Sequence, residues 1–216
     1  MQKLTFPAQE TEFIREAYDK ANVVLEYGSG GSTWLAAQSK GKFIISVESD
    51  REWALKTQQD LDAADLPSPA VIYYADIGKT GLWGRPVDES NWKLFHRYPT
   101  AVWSEPYFVE PDLVLIDGRF RPACFATVCM NIKTPTRVLF DDYDDRPAYQ
   151  VVERIVKPTH MVGRMAEFNL TPEMGKAIDV GFLMELYTQA TYVGRESYAV
   201  GKKSKSSDNK KLKKQA

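Results

Sequence analysis

Three glycines follow an acidic residue within a short stretch near the start of the chain. Residues 25–32 read LEYGSGGS, in which Glu26 ends an apolar run and Gly28, Gly30 and Gly31 come directly after it. Because glycine weakens both strands and helices, a cluster of this kind indicates a tight backbone turn or the close approach of a ligand. Glu26 would place a negative charge beside that ligand.

Carboxylates end or follow each of the next four apolar runs. Glu48 comes about twenty residues after the glycines, where a carboxylate can accept hydrogen bonds from both hydroxyls of a ribose. Asp76 and Asp117 mark the next two runs, and the adjacent pair Asp141 and Asp142 ends the last one. Acids at neighbouring strand ends could move a proton or bind a magnesium ion.

These residues lie at the ends of elements that alternate between strand and helix patterns. Short continuous apolar runs are typical of parallel strands buried on both faces. The alternation predicts an α/β fold with a doubly wound, mostly parallel sheet, in which ligands bind at the carboxyl ends of the strands. The predicted strands are 22–27, 42–49, 70–75, 112–117 and 137–142, and the predicted helices are 8–20, 32–40, 50–63, 119–131 and 145–156.

Two segments interrupt this alternation. Residues 76–110 form a long insert, rich in Trp, Tyr, Phe, Gly and Pro, that starts at the carboxyl end of a predicted strand. Long irregular loops in compact domains are usually lids or binding loops, so we expect this insert to cover a site at the strand ends. Near the C-terminus, 159–170 and 190–200 are expected to be strands that flank a helix at about 173–188 and form a hairpin-like edge of the sheet.

Composition and charge predict a globular domain with a basic tail. The chain has 216 residues, and residues 1–201 suit one domain. The tail 202–216 has seven lysines and one aspartate, so its charge is +6. Because the net charge of the whole chain is −1, the other 201 residues carry −7. We expect the tail to be disordered and an acidic globule to have no specific nucleic-acid partner. No apolar run approaches the roughly 18 residues of a membrane span, which favours a cytoplasmic protein. Cys124 and Cys129 diverge on one predicted helix and are expected to be packing residues.

Two cofactor classes commonly bind at a glycine-rich turn of this kind. The dinucleotide motif G-x-G-x-x-G would start at Gly28 and needs a glycine where Thr33 stands, which disfavours an NAD-type oxidoreductase. Residues 26–32 instead resemble the first motif of class I S-adenosylmethionine-dependent methyltransferases, acidic-x-Gly-x-Gly-x-Gly, with the last glycine shifted to Gly31. The resemblance implies a seven-stranded, Rossmann-like methyltransferase sheet with helices on both faces and S-adenosylmethionine as the cofactor.

The resemblance also implies a role for residues at each strand end. The first loop would meet the amino-acid part of the cofactor, the second strand end its ribose and the third its adenine, while Asp117 would lie near the transferable methyl group. The implied cofactor-binding residues are Glu26, Gly28, Ser29, Gly30, Ser32, Glu48, Ser49, Asp76, Ile77 and Asp117.

The acids of the fourth and fifth strand ends are similar to those of metal-dependent O-methyltransferases of the catechol and macrocin types. Asp117 matches their first aspartate, and Asp141 with Asp142 in DDYDD (141–145) matches their following pair. This resemblance implies a Mg²⁺ ion bound by these three residues and O-methylation of a small molecule or glycan; ordinary strand-end and helix-capping acids are the alternative. The fourth strand ends in IDGRF (116–120) rather than the Asn/Asp-Pro-Pro-Tyr motif of enzymes that methylate base amines.

A hydroxyl acceptor needs a base or a metal to become nucleophilic. Asp117 and His96 of the insert are the candidates, although an incidental loop histidine also fits the pattern, and His160 is expected to be structural. A catalytically inactive protein that binds the cofactor is the alternative to an enzyme. Five aromatic residues of the insert could line an acceptor pocket or form a small satellite core: Trp83, Trp92, Tyr98, Trp103 and Tyr107.

Overall fold

The computed structural model describes residues 4–193, and its centre is a seven-stranded sheet. Along the sheet the strand order is β3-β2-β1-β4-β5-β7-β6. The strands are β1 (Val23–Tyr27), β2 (Phe43–Glu48), β3 (Ala70–Tyr74), β4 (Leu113–Ile116), β5 (Thr136–Phe140), β6 (His160–Val162) and β7 (Met165–Leu170). The first five strands are parallel, and β7 pairs antiparallel with both β5 and β6. The predicted doubly wound, mostly parallel methyltransferase sheet is confirmed.

Helices cover both faces of this sheet. They are α1 (Ala8–Lys20), α2 (Gly31–Gln38), α3 (Arg51–Asp62), α4 (Arg97–Thr100), α5 (Arg121–Asn131), α6 (Pro172–Lys176) and α7 (Val180–Tyr187). Alternate residues of a strand point to opposite faces, so Val24 packs with Ile14 and Leu35 of α1 and α2, whereas Leu25 belongs to the core cluster that contains Phe125 of α5. Continuous apolar strands follow from this two-sided burial.

Local residue conformations move the boundaries of two predicted helices. The helix predicted over 119–131 begins at Arg121, because Phe120 before it adopts a left-handed conformation with a φ of 49°. The helix predicted over 145–156 is a 3₁₀ segment over Pro147–Arg154. Cys124 and Cys129 are buried free thiols of the α5 core, as their expected packing role requires.

The C-terminal part differs from its predicted arrangement. Residues 159–170 contain a complete hairpin, β6 and β7, rather than one strand, because Gly163 makes the turn with a φ of 55°. The helix expected at 173–188 is split into α6 and α7, the second of which starts where the Asp179 side chain accepts from the Phe182 amide at 2.9 Å. Residues 190–193 are not a strand, and the rest of the predicted 190–200 strand lies outside the described residues.

The insert 76–110 is folded onto the sheet rather than suspended above it. It contains α4 and three 3₁₀ turns, at Leu82–Gly84, Glu89–Leu94 and Ala101–Ser104. Phe95, Tyr98 and Val102 are buried in the core cluster of α5. The role of the insert as a lid stays a prediction. Among residues 4–193, no helix combines the length and the apolar character that a membrane span requires.

Candidate functional site

A cavity of about 490 Å³ opens where the strand order reverses. The strands β2 and β4 flank β1, and the loops after these three strands supply most of the cavity wall. Ligand sites of doubly wound sheets lie at this position, and the volume falls in the range of small-molecule sites. The lining residues are Thr5, Phe6, Gly28, Ser29, Gly30, Gly31, Ser32, Glu48, Asp50, Trp53, Leu82, Trp83, Gly84, Tyr98, Asp117, Gly118 and Arg119.

Two glycines bring the loops after β1 and β4 into direct contact. Gly28 has a φ of 109°, a conformation that disfavours any other residue, and a Cβ added there would lie 2.9 Å from the backbone nitrogen of Gly118. A Cβ added at Gly118 would lie 2.8 Å from the backbone nitrogen of Gly28. The glycine cluster therefore makes room for the neighbouring strand end as well as for a ligand.

Glu48 lies in the cavity wall with its carboxylate held in place. Its Oε1 accepts from the backbone amides of Ser49 and Asp50 at 2.7 and 2.9 Å, and its Oε2 accepts from Ser29 Oγ at 3.0 Å. Burial raises the pKa of Glu48, and these hydrogen bonds oppose the rise. The Oε2 atom has further acceptor capacity, which fits the predicted contact with a ribose.

Glu26 does not reach the cavity, because it lies on the face of β1 that packs beneath α1 and α2. Its carboxylate accepts from the hydroxyl groups of Tyr18, Thr33 and Ser46, the last two at 2.5 Å. Burial raises the pKa of Glu26, while these hydroxyls favour the charged form. Thr33 also accepts from the Gly30 amide at 3.1 Å, so the acid and the threonine support the glycine loop from below. The expected direct contact of Glu26 with a cofactor is not present in this geometry.

Arginines surround the three acids that were expected to bind magnesium. Arg121 Nη2 lies 3.0 Å from Asp117 Oδ1 and 3.2 Å from Asp142 Oδ2. Arg164 lies 2.9 Å from Asp141 Oδ2 through Nη2 and 3.2 Å from Asp142 Oδ1 through Nε. Within residues 4–193, no group of three or more His, Cys, Asp or Glu side chains could hold a metal ion. The residues do not fit a Mg²⁺ ion, because guanidinium groups already provide the neutralising charge.

Asp117 is the member of this cluster that faces the cavity. Burial raises the pKa of Asp117 to about 7. The charge of Arg121 opposes this rise, and the charges of Asp141 and Asp142 add to it. Arg121 also donates to the backbone carbonyls of Gly118 at 3.1 Å and Asp117 at 2.7 Å, which secures the loop after β4. Asp117 thus combines access to the cavity with a pKa suited to proton transfer.

The residues predicted to bind adenine lie away from the cavity. Asp76 is exposed, and its Oδ1 accepts from the Gly78 amide at 2.9 Å, while Ile77 is buried in the core. Ser49 is also outside the cavity wall, since its Oγ donates to the Gly84 carbonyl at 2.8 Å. This last bond attaches the first turn of the insert to the end of β2.

The two histidines take no part in the cavity. His96 is exposed at the start of α4, because Phe95 and Tyr98 on either side of it face the core. His160 lies on the edge strand β6 with its ring 5.9 Å from that of Phe13. His96 is therefore misplaced for the predicted role of base.

The aromatic residues of the insert divide between the cavity, the core and the surface. Trp83 and Tyr98 line the cavity, and Tyr98 donates to the Val47 carbonyl at 3.2 Å. Trp103 packs against Phe108 in the core. Trp92 and Tyr107 are exposed outside the cavity wall. The predicted acceptor pocket therefore stays a prediction for Trp83 and Tyr98, and Trp103 packs against the main core rather than forming a satellite core.

Several lining residues were not foreseen from the sequence, among them Trp53 and Arg119. Trp53 on α3 donates from Nε1 to the Ser29 carbonyl at 3.1 Å, and Arg119 follows Gly118 in the loop after β4. The only sequence signal for Arg119 was its place three residues after a buried strand, in IDGRF (116–120). Trp53 carried no signal, because a tryptophan on an amphipathic helix is ordinarily a packing residue.

Comparison with known proteins shows which family this chain belongs to. A methyltransferase-like protein from Silicibacter pomeroyi is 41% identical, over 88% of this chain and 98% of that chain, with a TM-score of 0.81. The O-methyltransferase TomG from Streptomyces achromogenes, solved with S-adenosylmethionine and involved in tomaymycin synthesis, is 16% identical over 85% of this chain and 68% of its own, with a TM-score of 0.45. An O-methyltransferase from Bacillus cereus, solved with S-adenosylhomocysteine, is 17% identical over 84% and 68%, with a TM-score of 0.46. No protein-family model and no curated protein sequence matches the chain. Because the first of these relatives shares both sequence and fold over nearly its whole length, the chain belongs to the class I S-adenosylmethionine-dependent methyltransferase superfamily.

Proposed function

We propose that this chain is an S-adenosylmethionine-dependent O-methyltransferase whose acceptor is a hydroxyl group of a small molecule or glycan. The observation that carries the proposal is the cavity itself, in which the glycine loop, Glu48 and Asp117 converge from the ends of three adjacent strands. The absence of a base-amine motif after β4 favours an oxygen acceptor.

The cavity wall fits the cofactor that the family uses. Glu48 Oε2 and Ser29 Oγ can bind the ribose hydroxyls, and the Gly28 loop exposes backbone to the amino-acid part. Asp117 supplies negative charge in a cavity that would receive a cationic molecule. When bound, S-adenosylmethionine supplies an electrophilic methyl group on its sulfonium, and the protein has to align the acceptor and accept its proton.

Asp117 is the side chain we assign to that proton. It lines the cavity, and its pKa of about 7 lets it accept a proton near neutral pH. The buried Arg121 holds the Asp117 carboxylate through the 3.0 Å ion pair. Its positive charge would balance the negative charge that Asp117 carries before it accepts the proton. No metal is needed for this step, because the base is a residue of the chain.

Calorimetry and a transfer assay test the proposal. We expect S-adenosylhomocysteine to bind and NAD not to bind. We also expect radiolabelled methyl groups to reach a hydroxyl compound in a panel of phenols, sugars, hydroxy acids and amines. Failure to bind S-adenosylhomocysteine would reject the cofactor assignment. Binding without transfer to any member of the panel would favour the inactive binding protein, whereas transfer to amines alone would reject the oxygen acceptor.

A further inference from the structure

Arg119 lines the cavity, and its guanidinium group has no counterion among the described residues. It is half-buried, and among residues 4–193 no ion pair or side-chain hydrogen bond engages its guanidinium group. Arg121, two residues later, contrasts with it, since that side chain binds two carboxylates and three backbone carbonyls. A partly buried guanidinium with unused donors can donate them to a ligand that enters the cavity.

The groups around Arg119 act on its pKa in both directions. Burial and the charges of Arg121 and Arg85 lower the pKa of Arg119, whereas Tyr98 and Tyr149 raise it. The Nε atom of Arg85 is itself buried without a hydrogen-bond partner among the described residues. Among the described residues that line the cavity, Arg119 is the one basic residue, and Glu48, Asp50 and Asp117 are the acidic ones.

Two large apolar side chains of the insert belong to the wall of the same cavity. Leu82 and Trp83 line the same cavity and are 62% and 66% exposed, so both side chains are accessible to a ligand. Trp83 is held in a left-handed conformation with a φ of 63°, followed by Gly84 with a φ of 65°. Strained non-glycine backbone of this kind is typical of ligand-contacting positions.

We propose that Arg119 binds an anionic group of the methyl acceptor, a carboxylate or a phosphate, while an apolar or aromatic part of the acceptor lies against Leu82 and Trp83. The inference rests on the proposed function, because it names the class of the acceptor. It narrows small molecules and glycans to acceptors that carry a negative charge. A guanidinium donates two parallel hydrogen bonds to either anion, so both groups share one recognition chemistry.

Binding of small aromatic anions tests this inference. Benzoate and phenyl phosphate would be titrated into the full chain, with and without saturating S-adenosylhomocysteine, and benzamide would serve as the neutral counterpart. We expect at least one anion to bind in the presence of S-adenosylhomocysteine and benzamide to bind at least about tenfold more weakly. Which anion binds more tightly distinguishes a carboxylate acceptor from a phosphate acceptor.

Matched variants assign the binding to one side chain. Arg119→Gln should weaken anion binding at least about tenfold, and Arg119→Lys should restore part of it, because a lysine keeps the charge but not the paired donors. Arg97→Gln, which removes an exposed arginine outside the cavity wall, should change nothing. Thermal melting of each variant would show that the fold is intact.

The outcomes separate this inference from the proposed function. If the parent binds S-adenosylhomocysteine but neither anion, or binds benzamide equally well, the anionic acceptor is rejected and the cofactor assignment stands. If Arg119→Gln weakens S-adenosylhomocysteine as much as the anions, the arginine serves the cofactor carboxylate and the inference is overturned. If S-adenosylhomocysteine fails to bind while the anions still depend on Arg119, the proposed function fails and the anion site stands.

Discussion

Replacing Glu48 by glutamine is the sharpest test of the cofactor site. The amide oxygen can take the place of Oε1 and keep the bonds from the Ser49 and Asp50 amides, at 2.7 and 2.9 Å. The new NH₂ group then takes the place of Oε2, which accepts from Ser29 Oγ at 3.0 Å. Because an NH₂ group only donates, it can accept a hydrogen bond neither from that hydroxyl nor from a ribose hydroxyl. Glu48→Gln thus removes the acceptor while keeping the shape.

The expected loss follows from the number of bonds removed. One hydrogen bond from the cofactor to a charged acceptor contributes about 1.5–3 kcal/mol, so the dissociation constant for S-adenosylhomocysteine should rise roughly 10- to 150-fold. The folded state should be little affected, since the two backbone bonds persist and a buried charge is removed.

Isothermal titration calorimetry of S-adenosylhomocysteine would measure this loss, with thermal melting as the check on folding. Glu52→Gln is the matched control, because it makes the same substitution at an exposed position of α3 outside the cavity wall. Methylthioadenosine, which shares the ribose, should lose the same factor. A Glu48→Gln protein that melts normally and binds both compounds as tightly as the parent would refute the ribose assignment.

Gly28→Ala should destabilise the protein by about 1–2 kcal/mol or more and weaken S-adenosylhomocysteine, because its φ of 109° and the 2.9 Å approach to the Gly118 nitrogen leave no room for a Cβ; denaturation and calorimetry measure the two losses. Asp117→Asn should lower turnover by about 10²–10⁴ and abolish the rise of kcat through pH 7 that its pKa of about 7 predicts. Because that folded-state pKa lies above the unfolded value of about 3.9, Asp117 makes stability fall between about pH 4 and pH 7, and denaturation of the Asn variant should show less of this fall. Arg121→Ala should lower the free energy of unfolding in urea by about 3–5 kcal/mol, because it leaves buried acids unpaired. A chelator should leave the activity of the parent protein unchanged, and a chelator that abolishes activity would support the Mg²⁺ site instead. Removing the lysine-rich tail 202–216 should leave melting and S-adenosylhomocysteine binding intact, and a loss of several degrees in Tm would contradict its expected independence from the fold.

The sequence by itself determined the five parallel strands and the edge of the sheet at which the site lies. Buried parallel strands need apolar residues on both faces, so their runs were visible without any contact information. The glycines of the first loop and the acid about twenty residues later were also legible, because backbone conformation and strand ends are local properties. Gly28 and Glu48 accordingly lie in the cavity wall.

Only the tertiary structure decided which side chains face the cavity and what neutralises them. Glu26 turns under α1 to meet Tyr18, and the Asp141 carboxylate meets Arg164, which follows β6 and is distant in sequence. The sequence marks an acid at a strand end in the same way whether a metal or an arginine faces it. Arg119 has no ion pair among the described residues, and the sequence could not show this. Charge balance depends on residues that come together from separate strands, so no single segment contains it.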